Sequence, residues 1–143
     1  MASPGRLAIP EELLTEENSL SFTIGPEHSP IEAMAAANDM VAMSFPSFLE
    51  GLPNAAQVCA DVHAVLTELV DVTARNRASV DLVGKVTYDG RHVTVSVGDM
   101  AGRLPSPEVE PGLYLVHGTA HEVGQHAGDA GGWVTWAALA VRR

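Results

Sequence analysis

Apolar and polar positions alternate first in SLSFTI, where Leu20, Phe22 and Ile24 are separated by serine and threonine, the pattern of a half-buried strand. Ser29-Pro30-Ile31-Glu32 then reads as a capping box with proline at the first helical position. The helix it opens is expected to run to about Phe45, with Met34, Ala37, Val41 and Phe45 along one face. Residues 46–53 read as a loop, and Asn54-Ala55-Ala56-Gln57 as a second capping box. Val58, Val62, Val65, Leu69 and Val72 follow in steps of three and four, which keeps them on one stripe of a helix. Val80, Leu82, Val86 and Tyr88, a turn at Asp89-Gly90, and Val93, Val95 and Val97 predict a hairpin, because Asp-Gly supplies the positive φ that a tight turn needs.

The proline-rich stretch 100–111 reads as a loop, followed by a helix from about Gly112 to Val123. HAGDAGG (126–132) reads as a second loop, and WVTWAALAV (133–141) as a buried strand. Residues 1–17 are expected to form an acidic arm, with one short helical turn after Pro10 that frays unless something covers Leu13 and Leu14. The main domain is then 18–143. The order of elements predicts an α+β two-layer sandwich, with helices on one face of a mostly antiparallel sheet.

Composition narrows the setting. A chain of 143 residues, 46% of them hydrophobic, is one domain with enough core to fold unaided. Cys59 is the single cysteine, so no intrachain disulfide can form, and a reducing, cytoplasmic setting is expected. Met1–Pro10 has neither an apolar core nor a basic start, so no secretory leader is expected. No apolar run approaches the roughly 20 residues that span a bilayer. A net charge of −10 opposes nucleic-acid and anionic-membrane partners, and it also serves solubility.

Three short segments carry candidate chemistry: TELVDVTARN (67–76), VSVGDMAG (95–102) and PGLYLV (111–116). In this order, and closed by GGWVTWAAL (131–139), they resemble the nucleotide-site boxes of the GHKL ATPase fold, the superfamily of histidine-kinase catalytic domains and small bacterial anti-sigma-factor kinases. The resemblance covers roughly residues 18–142. It implies that Glu68 would be the general base. The Mg²⁺-ligating asparagine, one turn on, is replaced by Val72, which offers no oxygen. Asp99 would accept the adenine amino group, with Ala101 at the glycine position that follows and Gly102 one residue further. Gly112 and Leu113 would be what survives of the phosphate-binding turn. Glu110 and Pro111 stand where the family has glycine and a further backbone donor, so a like charge and a lost N–H oppose a triphosphate there.

The expected function is therefore a cytoplasmic regulatory protein with a decayed ATP site. It would act by binding a protein such as a sigma factor or an anti-anti-sigma-type protein, or as a homodimer. Two alternatives stand beside it. One is an active, divergent ATP-dependent serine kinase using Glu68, Asp99 and Gly112. The other is a small-ligand domain that reuses the former adenine pocket. His117 and His121 at i,i+4, with His126 nearby, have zinc-like spacing, but surface histidines are the expected reading and no metal is assigned.

Overall fold

The computed structural model describes residues 11–16, 18–129 and 131–141. Alternation of Leu20, Phe22 and Ile24 produces strand β2 (Ser19–Ile24), with those three side chains on one face, each at most 1% exposed. Helix α1 (Pro30–Phe48) starts at the expected capping box. The Glu32 N–H donates to Ser29 Oγ at 3.2 Å, and the Ser29 N–H donates to Glu32 Oε1 at 2.8 Å. It does not stop at Phe45 but runs through Pro46. Proline inside a helix costs about 3 kcal/mol. Here the extra turn lets Phe48 meet Phe45 edge-on, ring centroids 5.8 Å apart, and carries Leu49 into full burial.

Helix α2 (Ala55–Arg75) buries Val58, Val62, Val65, Leu69 and Val72, the predicted stripe. Its expected capping box does not form. Asn54 has φ −105 and ψ 23, outside the extended region a capping side chain needs, and Gln57 instead donates to Asp61 at 2.9 Å.

The hairpin is present as β3 (Leu82–Tyr88) and β4 (His92–Met100), with Val80 outside it and exposed. Helix α3 is shorter than expected, Leu113–Thr119, and an unexpected edge strand, β5 (Glu122–Ala127), follows it. The helical reading of 112–123 missed a change of period: from Val123 onward alternate residues face alternate sides. Strand β6 (Trp133–Ala140) completes the sheet.

The other correction is at the start. Glu11–Glu16 is a strand, β1, antiparallel to β2 from Glu11↔Ile24 to Glu16↔Ser19, rather than a helical turn. The turn between them passes through Asn18 at φ 59, a conformation asparagine tolerates. The open backbone of β2 outweighs the helical propensity of EELLTE, and Leu13 packs against the core. The rest of the predicted arm, 1–10 and Glu17, lies outside the described residues.

The six strands run in the order β1-β2-β3-β4-β6-β5, every neighbouring pair antiparallel. One face of the sheet packs on the helices through Leu20, Phe22, Val86, Val95, Ala137 and Leu139, all buried. The opposite face carries the other half of each strand. One row across it reads Leu14, Ser21, Lys85, Ser96, Trp136 and Gly124, each directly paired with the next. The architecture is thus the α+β two-layer sandwich.

Gly84 is a tight point of the helix side, because a Cβ there would run into the Phe22 ring. Gly84→Ala is expected to cost about 1–3 kcal/mol through overpacking. Gly102→Ala, with nothing within 4 Å of the added carbon, is expected to stay within about 0.5 kcal/mol. Thermal melts followed by circular dichroism of the two variants check this, and equal melting temperatures would refute it.

Candidate functional site

Helix α2 sets the positions of the first segment. Glu68 and Val72 are one turn apart, but their surroundings differ. Val72 is 1% exposed and continues the core stripe. Glu68 lies against the turn that opens α3, where its Oε1 fills the space a Cβ at Gly112 would need. Burial pushes the Glu68 carboxyl above its ordinary value, nearby Asp71 pushes the same way, and Arg75 partly offsets both. Leu113, next to Gly112, is buried in the core.

Arg75, near the end of α2, is the electrostatic centre of this end of the molecule. Its guanidinium donates to both oxygens of Asp71 at 3.1 and 3.0 Å, and to both oxygens of Glu110 at 3.1 and 2.6 Å. Two bidentate pairs on one arginine fix its plane and tie the 101–112 loop to α2. The hydrogen bonds from Arg75 hold the Glu110 carboxyl below the usual range. The glutamate that replaces a phosphate-binding glycine in the resemblance thus engages the nearest guanidinium itself.

Arg103, the only basic residue in that loop, is also committed. It lies 4.6 Å over the Trp133 ring and donates to Gln125 at 3.3 Å. Asn76 donates to the Val72 carbonyl at 2.8 Å, closing the last turn of the helix. Between these groups is a small crevice of about 230 Å³, bordered by Asn76, Met100, Gly102, Arg103 and Glu110.

The end of β4 decides where Asp99 goes. Val97 pairs with Thr135, but Met100 pairs with Trp133, so β4 holds one residue more than β6 over this span. The irregularity turns Met100 inward. It is 2% exposed, and its sulfur receives hydrogen bonds from Thr135 Oγ1 at 3.4 Å and Gln125 Nε2 at 3.7 Å. The Asp99 carboxylate packs against Gly128 instead, in the turn between β5 and β6, and its N–H donates to Ser79 Oγ at 3.2 Å. Asp99 lines a recess of about 330 Å³ on the open face of the sheet, together with Val83, Lys85, Ser96 and Val134.

The structure therefore gathers Glu68, Gly112 and Leu113 at one place and puts Gly102 in the adjoining crevice. Asp99 is directed to the other side of the sheet. Asp71, Arg75 and Glu110 form a doubly bidentate link at this end, of which only the Asp71–Arg75 half is local, at i,i+4, whereas Glu110 is 35 residues from Arg75. A second polar cluster, between α1 and α2, also had no sequence signal. Asn38 Nδ2 donates to Met34 O and Thr67 Oγ1, which makes Asn38 Oδ1 the acceptor for His63 Nδ1–H at 2.6 Å. Burial lowers the His63 value, as it does for a histidine held neutral in a helix interface.

The three histidines do not converge. His117 is on α3, His121 follows the helix end and lies 5.8 Å from His92 by ring centroids, and His126 is on β5. Among the described residues, no group of three or more histidine, cysteine, aspartate or glutamate side chains is placed to hold a metal ion. No helix among them is long and apolar enough to cross a membrane. No protein-family model matches the chain, and no curated protein matches it.

Glu110 and Glu68 are expected to shape stability against pH in opposite senses. The lowered Glu110 value means that its stabilisation is present above about pH 4.3, the unfolded value, and is lost as pH falls through the folded value. Glu110→Gln should cost about 0.5–1 kcal/mol near neutrality, since the pair is partly exposed, and should flatten the acid limb. The raised Glu68 value means stability is lost as pH rises through it, so Glu68→Gln should melt higher than wild type at neutral pH. Melting temperatures from pH 3 to 8 test both, and equal acid limbs in wild type and Glu110→Gln would rule out the first.

Proposed function

We propose that this protein is a degenerate relative of the GHKL anti-sigma-factor kinases, cytoplasmic in setting, that regulates by binding another protein rather than by transferring phosphate. A magnesium-dependent phosphoryl transferase depends on a metal and a phosphate clamp, because positioning and charge neutralisation supply nearly all of its catalysis. The observation that carries the reading is the burial of Val72 in the core stripe one turn after Glu68. The base position is kept, but the metal-ligand position faces hydrocarbon.

Two further arrangements support it. Arg75 is engaged by Glu110, and Arg103 by Gln125 and Trp133, so both arginines near the phosphate half are already committed to side chains of the protein. Asp99, the adenine-pairing position, lines a recess on the other face of the sheet from Val72 and the buried stripe. A protein partner remains compatible with the surface of α1, where Ile31 and Met43 are exposed by 75% and 76%. A sigma factor or an anti-anti-sigma-type protein is the class of partner the resemblance suggests. The active-kinase alternative would need a metal ligand that Val72 does not offer.

Titration calorimetry of ATP into the protein, once with Mg²⁺ and once with EDTA, tests the proposal. The expected result is no heat of binding in either buffer at millimolar ATP. Binding that requires Mg²⁺ would overturn it and favour the kinase alternative.

A further inference from the structure

Strand β5 ends the sheet and is paired with β6 on one side only. The turn after it shows which of its backbone groups face outward. The Gly128 N–H donates to the Gly132 carbonyl at 2.8 Å, in the register of the β5–β6 pairs. The direction of hydrogen bonding alternates along an antiparallel strand. His126, Gly124 and Glu122 therefore direct their backbone groups at β6, and Val123 and Gln125 direct theirs at the open edge. Among the described residues, no backbone hydrogen bond from a turn or loop reaches either of these two. EVGQHA also holds no proline or lysine, the residues that commonly blunt an edge.

This edge is complementary to itself. Two antiparallel copies aligned with Gly124 opposite Gly124 set Val123 opposite Gln125 and Glu122 opposite His126, on both sides of the axis. The backbone agrees with this register. Val123 and Gln125 meet as hydrogen-bonded pairs, whereas Gly124 and the Glu122–His126 pairs fall at the close positions, where Cα atoms are about 4.5 Å apart. Glycine on the axis leaves no side chains to collide there. Glu122 and His126 are both exposed, and the register sets carboxylate beside imidazole. The half-buried Trp136 lies over Gly124, where a Cβ would come within 2.5 Å of its Cζ2. Self-pairing brings the two indoles together over the axis and covers apolar area that a single copy leaves open. The other edge, β1, carries three glutamates in six residues and no cation to oppose them.

We propose that β5 is a self-recognition edge. Two copies of this chain pair β5 to β5 about a twofold axis at Gly124, which joins two six-stranded sheets into one. The proposal does not rest on the nucleotide reading, so the outcome of the ATP titration has no bearing on it.

Sedimentation velocity and disulfide trapping test it together, the trapping in a Cys59→Ser background. Within one strand, positions 122 and 126 are about 13 Å apart, so a bond between them forms only across copies. The expected result is a concentration-dependent dimer in the wild type. An equimolar mixture of Glu122→Cys and His126→Cys should give a covalent dimer on mild oxidation, and neither variant alone should. Glu122→Lys should weaken self-association about tenfold by setting like charge opposite His126. Adding His126→Glu to that variant should restore it. Both positions are exposed, so the melting temperatures of the monomers should stay within a few degrees of each other. A wild type that stays monomeric at hundreds of micromolar would overturn the proposal and leave the edge to an extended segment of a different protein. So would single cysteine variants that crosslink as well as the mixture does, or a Glu122→Lys variant that associates as the wild type does.

Discussion

The packing of the α2 stripe onto the helix side of the sheet is the constraint on which the rest of this structure depends. Val62, Val65, Leu69 and Val72 must all face the strands for α2 to bury its apolar side. That rotation fixes every other position on the helix. Glu68 is turned toward Gly112 at the start of α3, and Asp71 and Arg75 toward the 101–112 loop. The residue at 72 is thereby given to the core, and a polar ligand at that position would have to be desolvated without a partner. Valine meets the demand of that position without such a cost.

The second determinant is a single residue of length. β4 carries one more residue than β6 between the Val97 and Met100 pairs, so the inward position goes to Met100 and Asp99 goes elsewhere. A methionine is suited to that inward place because its thioether accepts weak hydrogen bonds from Thr135 and Gln125 while filling apolar space. The polar Gln125 also receives the Leu104 N–H at 2.8 Å, so the same side chain ties the loop after β4 to the edge strand. The local backbone and the loop are in this way locked to each other.

Much of the fold was legible because its signals are local. The alternation in 19–24, the capping box at Ser29, the stripe of α2 and the Asp89-Gly90 turn each require only neighbouring residues, and each formed. The two unforeseen strands come from interactions at long range. EELLTE has helical composition, yet an unpaired strand edge at β2 captured it. Residues 120–127 looked like the end of a helix followed by a loop, yet pairing with β6 made them a strand. The candidate site was less legible still. Spacing put Glu68 and Val72 one turn apart correctly, but no pattern in VSVGDMAG announces the extra residue that redirects Asp99. Nor does anything near Glu110 announce Arg75.

The two outermost strands of the sheet differ in how they are guarded. An exposed edge presents a row of backbone donors and acceptors that can recruit another chain, and charge on the edge is a common protection. β1 carries three glutamates in six residues, whereas β5, EVGQHA, carries one, at its first position. Of the two, β5 is therefore the edge at which an approaching strand would meet fewer carboxylates. The acidic run of the first strand then bears on edge pairing as well as on the net charge of −10.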